Sequence, residues 1–311
     1  MNNMPSFKSL PHHKPADGFI LVAVLWILGA LATLAAIYAL YVHETVFVFV
    51  GHDERLQAQG LALAGVELAV YQLTAIPEAR PSRGKFSFRL GNAEVTVDFR
   101  SENARIDLNL ASKQLLAGLF IGFGAQREVA EGYADRILAW RTPLTSGTTD
   151  SEAALYRTGG RNFGPRHAPF QHVNELALVL GLPPALIDRA LPYLTVYSGQ
   201  AEVNVLNAAP EVLAALPGMT PERLHIMLGL RAGAPQDVLT AQLGIAAQYA
   251  TAQPGKSNRV SVDVRFDANR RVRSEAVILL RDEDTEPFRV LSWRDEDGEL
   301  STDERPNPST R

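Results

Sequence analysis

Residues 19–42, FILVAVLWILGALATLAAIYALYV, are 24 consecutive positions without a charge. Wound as a helix at ~1.5 Å per residue they extend ~36 Å, enough to cross a hydrocarbon core of ~30 Å. A secretory apolar region is shorter, ~7–15 residues. A buried core helix of a soluble protein would carry a polar stripe, and this run is apolar on every side. The segment therefore reads as a membrane helix. Lys8, Lys14, His12 and His13 precede it with one acid, Asp17, whereas Glu44, Asp53 and Glu54 follow it against Arg55. The more positive short side stays cytoplasmic, so the body is expected on the far side of the membrane.

The end of the apolar run, YALYVHETVF, lacks the small-x-small pattern of a secretory cleavage site. At its start, Gly18 directly precedes Phe19. A cut there would remove the basic leader and keep the helix. The helix continues through HDERLQAQGLALAGVELAVYQL (52–73), where Leu56, Leu63, Val66, Val70 and Leu73 recur at helical spacing and Arg55, Gln59 and Glu67 make a wetter face. One rod of about 55 residues results, half apolar all round and half amphipathic, its second half expected to pack on a folded domain.

Beyond Pro77 and Pro81 the period becomes two. Phe86, Phe88 and Leu90 alternate, Gly91-Asn92 turns, and Val95, Val97 and Phe99 resume, the pattern of a β-hairpin. A second strand-rich block lies far downstream, at 258–282 and 286–296, with Asp267-Ala268-Asn269 as a turn. A lone hairpin is marginal, so both blocks are expected in one antiparallel sheet against the amphipathic helix. The segment 101–257 is then an insertion. It is helical in pattern and repeats itself: IDLNLASKQLLAGL (106–119) resembles VNVLNAAPEVLAAL (203–216), and each leads to a second helix ending in Arg, at Arg141 and Arg231. The tail 296–311, charged and Pro-containing, reads as disordered.

Chemistry-bearing residues are few. The chain has no Cys, so disulfides, thiolate metal sites and thiol nucleophiles are excluded. His167, His172 and Glu175 lack metal-ligand spacing and read as residues at a helix start. Asp150 and Glu152, in a loop rich in Gly, Ser and Thr, are candidate carboxylate ligands for calcium, which needs about six to eight oxygens. LPGMTPERL (216–224) resembles a helix-hairpin-helix. That motif gives the competing function, a membrane-tethered DNA-binding protein of the competence type. Residues 201–235, however, hold Glu202, Glu211 and Glu222 against Arg223 and Arg231, and the whole chain is at −4, where phosphate binding wants a basic surface. A membrane-anchored hydrolase is a third class, and no GxSxG elbow, phosphate loop or paired-carboxylate motif supports it.

With these pieces in place the chain resembles the type II secretion minor pseudopilin K family. GFILVAVLWILGALATLAAIYA carries the pilin-like processing site and helix. The series IDLNLAS, ILAWR, DSEAALYR, FQHVNELALVLGL and LPYLTVYSG, with VNVLNAAPEVLAALPGM, carries the family's inserted domain. The resemblance implies an α+β chain, a type IV pilin-like fold with a large inserted all-α domain. Its divisions would be a leader 1–18, a helix 19–75, a sheet from 76–100 and 258–295, the insertion 101–257 and the tail 296–311.

It also implies a non-enzymatic tip subunit of the periplasmic pseudopilus, anchored in the inner membrane. Its partners would be the other minor pseudopilins, the major pseudopilin, the inner-membrane secretion platform and a prepilin peptidase cutting between Gly18 and Phe19, with methylation of the new Phe19 amine. Removal of the leader, with Lys8, Lys14 and Asp17, takes the charge from −4 to −5. The fifth mature position, where most pilin-like chains carry Glu, is Ala23. Without that carboxylate the subunit does not neutralise a neighbour above it, which suits a terminal place, and the bulky insertion would obstruct further stacking. Two regions depart from the family: Asp17 precedes the scissile Gly, and the stretch AWRTPLTSGTTDSEAALY around and after Trp140 has Ala139, Thr142 and Leu144 where acids would supply calcium ligands.

Overall fold

The computed structural model describes residues 17–76, 80–145, 147, 149–231, 233, 236–266, 270–281 and 286–297. The disordered-tail reading beyond 297 and the Asp267–Asn269 turn lie outside these residues. Helix α1 runs Asp17–Thr74, 58 residues, and the chain divides into two compact units, Met1–Gln59 and Gly60–Arg311. In the first unit Leu21–Leu40 is long and apolar enough to cross a membrane, and none of it is buried inside the protein. Thr33, a polar residue within it, hydrogen-bonds the carbonyls of Gly29 (3.1 Å) and Ala30 (2.8 Å), so its hydroxyl needs no water.

The second unit begins with the remainder of α1. Leu61, Ala62, Val66, Ala69, Val70 and Leu73 are buried, whereas Leu63 is 46% exposed. The buried stripe therefore differs from the one expected from the large apolar residues, which included Leu63, and Leu56 in the first unit is exposed as well. The cause is close approach: a Cβ at Gly65 would meet Val262 Cγ1 at 2.9 Å and Val97 Cγ2 at 3.1 Å. Small residues let the helix sit down on the sheet between Leu61 and Leu73, while Leu63 and Leu68 turn away.

The sheet has five antiparallel strands. Strands β1 (Arg83–Leu90) and β2 (Ala93–Ser101) form the expected hairpin, with Gly91 at φ +62°, a conformation Gly supplies without steric cost. The chain then leaves the sheet. It passes through a 3-10 turn at Glu102–Ala104, β3 (Ile106–Asp107), α2 (Lys113–Gly122), α3 (Arg127–Arg141), α4 (Ser151–Thr158), α5 (Pro184–Ala190) and β4 (Leu194–Thr195). A second passage follows through β5 (Val203–Asn204), α6 (Pro210–Ala214), α7 (Pro221–Leu230), α8 (Gln236–Ala241) and β6 (Ala250–Thr251). The sheet resumes with β7 (Ser257–Phe266), β8 (Arg271–Leu280) and β9 (Phe288–Asp297), in the order β1-β2-β7-β8-β9. Joining of the two distant strand blocks into one sheet matches the expectation. Val95, Val97, Phe99, Val260, Val262 and Val264 bury its inner face.

The insertion has a core of its own, from Ile106 to Ala246. The sequence echo is a structural duplication down to single atoms. In the first half β3 pairs in parallel with β4, Leu108 N–H donates to Thr195 O (2.8 Å) and Ala111 N–H to Asp107 O (2.8 Å). In the second half β5 pairs in parallel with β6, Val205 N–H donates to Thr251 O (2.9 Å) and Ala208 N–H to Asn204 O (2.8 Å). The arginines that end the second helices do the same work. Arg141 donates to Leu108 O and Ala111 O (2.5 and 2.7 Å), and Arg231 to Ala208 O (2.7 Å). The halves press together where a Cβ on Gly118 of α2 would lie 2.0 Å from Ala215 O, a position only Gly can hold.

Candidate functional site

Gly18 and Phe19 fall in the first turn of α1. The first four N–H groups of a helix have no partner within it, so the bond between these residues sits where helical hydrogen bonding holds least. Ala23 lies one turn further along, partly exposed, on the all-apolar face of the span.

The candidate calcium pair occupies the start of α4. Asp150 is its N-cap: Oδ1 accepts the Ala153 N–H at 2.8 Å, and Oδ2 lies 2.9 Å from His167 Nε2. The other ring nitrogen, Nδ1, faces Thr142 O at 3.2 Å. His167 takes φ +51°, the left-handed region that His tolerates better than bulkier residues. The Ala153 N–H, with His167 behind it, holds the Asp150 carboxyl below the usual carboxylate range. Burial pushes Glu152 the other way, and its Oε1 is enclosed without a partner.

These residues do not fit a calcium ion of their own. Both Asp150 oxygens are engaged within the protein, and among the described residues no group of three or more His, Asp or Glu could hold a metal. His172 and Glu175 do lie at a helix start: His172 Nδ1 accepts the Asn174 N–H (3.1 Å), and Glu175 Oε1 accepts the Gln171 N–H (3.0 Å) and Arg166 (2.9 Å). His167 departs from that reading, because its side chain is largely covered and spent on Asp150. Seventeen residues separate the two partners, and no local spacing announces them.

The hairpin of LPGMTPERL forms between α6 and α7, with Gly218 at φ +74° against Ile245. Its one cation, the exposed Arg223, donates to Gly218 O (3.3 Å), and Arg231, beyond the motif, donates to Ala208 O. Guanidinium groups used to cap backbone carbonyls are poorly placed for phosphates, which weakens the DNA-binding reading.

A charged node that sequence reasoning missed joins the insertion to the sheet. Glu102, 1% exposed, receives Arg259 Nη2 at 2.5 Å and Thr195 Oγ1 at 2.6 Å on Oε1, and Arg259 Nε at 3.0 Å on Oε2. Arg259 also pairs with Glu275. Burial works against the Arg259 charge, but the two carboxylates prevail and raise its pKa, whereas burial and the Arg259 charge lower that of Arg105 nearby.

Residues 96–199 match the family model described as "Type II secretion system (T2SS), protein K". The fold is similar to a chain in the crystal structure of the GspK-GspI-GspJ complex from the enterotoxigenic Escherichia coli Type 2 Secretion System. The TM-score is 0.57 at 16% identity, over 80% of this chain and 99% of that one. Among curated proteins none matches the sequence.

Proposed function

We propose, from the match of residues 96–199 to the type II secretion system protein K model and from the likeness of fold, that this chain is a minor pseudopilin of that family, the tip subunit that initiates and caps the pseudopilus. Its partners are then the other minor pseudopilins, as the similar Escherichia coli complex contains, together with the major pseudopilin below. The observation that carries the reading is the helical domain between β2 and β7, whose first half, together with the end of β2, is what the family model matches.

In this reading α1 is first an inner-membrane anchor with its N-terminus cytoplasmic and the folded body periplasmic. A prepilin peptidase frees Phe19, and the apolar surface of residues 21–40 later passes from lipid to neighbouring helices. Ala23 supports the terminal place, since it offers no carboxylate to a following subunit's amine. The subunit acts structurally, through contacts.

The test is N-terminal sequencing of the mature protein together with co-purification. A chain beginning at Phe19, retaining α1 and recovered with the other minor pseudopilins, is expected. A mature form beginning beyond Val42, or full-length protein that joins none of those subunits, would overturn the proposal.

A further inference from the structure

The two faces of the sheet differ in kind. The inner face is apolar and buried. On the outer face the register sets charges in rows: Arg89, Glu94, Arg265 and Arg271 lie side by side across four strands. By register this face carries ten Lys or Arg against five Asp or Glu. The excess is +5 on a chain whose total is −4, so the face opposes the charge of the rest of the molecule.

Most of the acids are already engaged. Asp263 accepts Arg271 Nε at 2.8 and 2.7 Å and lies 3.7 Å from Arg273, Glu275 takes Arg259, and Asp98 lies 3.9 Å from Arg100. Arg83, Lys85, Arg265, Arg289 and Arg294 have no carboxylate within ion-pair range among the described residues, and all five are exposed. Three like-charged pairs stand directly opposite each other, Arg83 with Arg100, Arg100 with Arg259, and Arg265 with Arg271. Such cross-strand pairs weaken a sheet. The fold thus carries a repulsive face that its own described contacts do not neutralise.

We infer that this face docks an acidic surface of a neighbouring pseudopilin, an inference that rests on the function proposed above. Charge and area argue for it together. Five strands at ~4.8 Å spacing and eight to ten residues at ~3.3 Å make a patch on the order of 600 Å², close to the ~800 Å² per partner of a specific interface. Nine of the ten cations are Arg, whose planar fork matches carboxylates in pairs. The interleaved Glu94, Asp98, Asp263 and Glu275 would repel a continuous phosphate backbone or an anionic lipid layer. Against a protein the ion pairs already closed by Asp98, Asp263 and Glu275 leave the other cations of the face as discrete points that fix the partner's register.

The test uses the full-length chain in detergent, with each of the other pseudopilins of the same system titrated separately. Three forms are compared: the natural chain, a reversed form (K85E, R265E, R294E) and a neutral form (K85Q, R265Q, R294Q), each checked by thermal melting. At low salt the reversed form should bind one subunit about tenfold or more weakly and the neutral form a few-fold more weakly. Raising the salt should draw the natural chain toward both. If the reversed form fails to fold, the neutral form alone decides.

Complexes that form with the same affinity and salt slope in all three would overturn the inference and leave the proposed function standing. A natural chain that binds none of the subunits would overturn the function itself. Charge-dependent binding of duplex DNA or of short-chain phosphatidylglycerol, with the subunits indifferent, would show the occupant to be wrongly assigned. So would a charge dependence that vanishes on deleting residues 298–311, since the face would then be serving the chain's own acidic end.

Discussion

At Asp150 a single carboxylate has two tasks, capping α4 through Ala153 and holding His167 in its left-handed conformation. Replacing an N-cap Asp by Ala costs roughly 0.5–2 kcal/mol, and loss of the His167 contact places Asp150→Ala at the upper end of that range. Because its folded pKa is depressed, the contribution is fully present above the ordinary Asp value of about 3.9. It is lost as pH falls through the lower, folded value. Melts of the natural protein and of D150N should therefore differ at neutral pH and converge toward acid. Added calcium should leave both melts where they are, because the Asp150 oxygens already have partners. A stoichiometric, calcium-dependent rise confined to the natural protein would show that the loop opens to take the ion. The sequence displayed the acids but not their use: a cap is readable from Asp150 preceding a helix, whereas the partner His167 enters only through folding.

Among the elements, the joint between sheet and insertion rests on Glu102 and Arg259, 157 residues apart. Removing one partner of a buried ion pair leaves a charge without compensation and typically costs about 3–5 kcal/mol. Glu102→Ala should fall near that range, measured by chemical denaturation, and Glu102→Gln should cost less because its amide oxygen still accepts from Thr195 or Arg259. An Arg259→Leu, Glu102→Leu pair should recover part of the loss, which a purely geometric role for the node would not allow. The strands and α1 were legible in the sequence because each repeats a period, two or about 3.6, that one buried face imposes. The duplication was legible because its two halves reuse the same turn and helix-start residues. Two features could not be read that way. Ala62, Gly65 and Ala69 face the sheet because helix and strands approach closely, which only the packed structure reveals. The outer-face charge rows need the cross-strand register, since no single strand displays them.

At the scale of the whole molecule, the insertion leaves and re-enters the sheet at neighbouring points. Ser101, the last residue of β2, is the register partner of Asn258 in β7, so their Cα atoms are only ~5 Å apart. A span that short is closed by a two-residue Asn-Gly hairpin turn. Replacing 102–257 with Asn-Gly should therefore preserve the strand order and the α1 contacts of Leu61, Val66 and Leu73. Arg259 would keep Glu275, and stability should fall by no more than the Glu102 contacts supplied. The released segment 102–256 should fold alone as a helical domain, because its core runs from Ile106 to Ala246 and draws on no residue of the sheet. Circular dichroism and melting of both products check the structural claim. Pseudopilus assembly checks the functional one: if the insertion terminates growth, the excised subunit should enter filaments without ending them, and their length distribution should broaden. Filaments initiated and terminated as before would instead locate the capping property in α1, where Ala23 supplies no carboxylate for a following subunit.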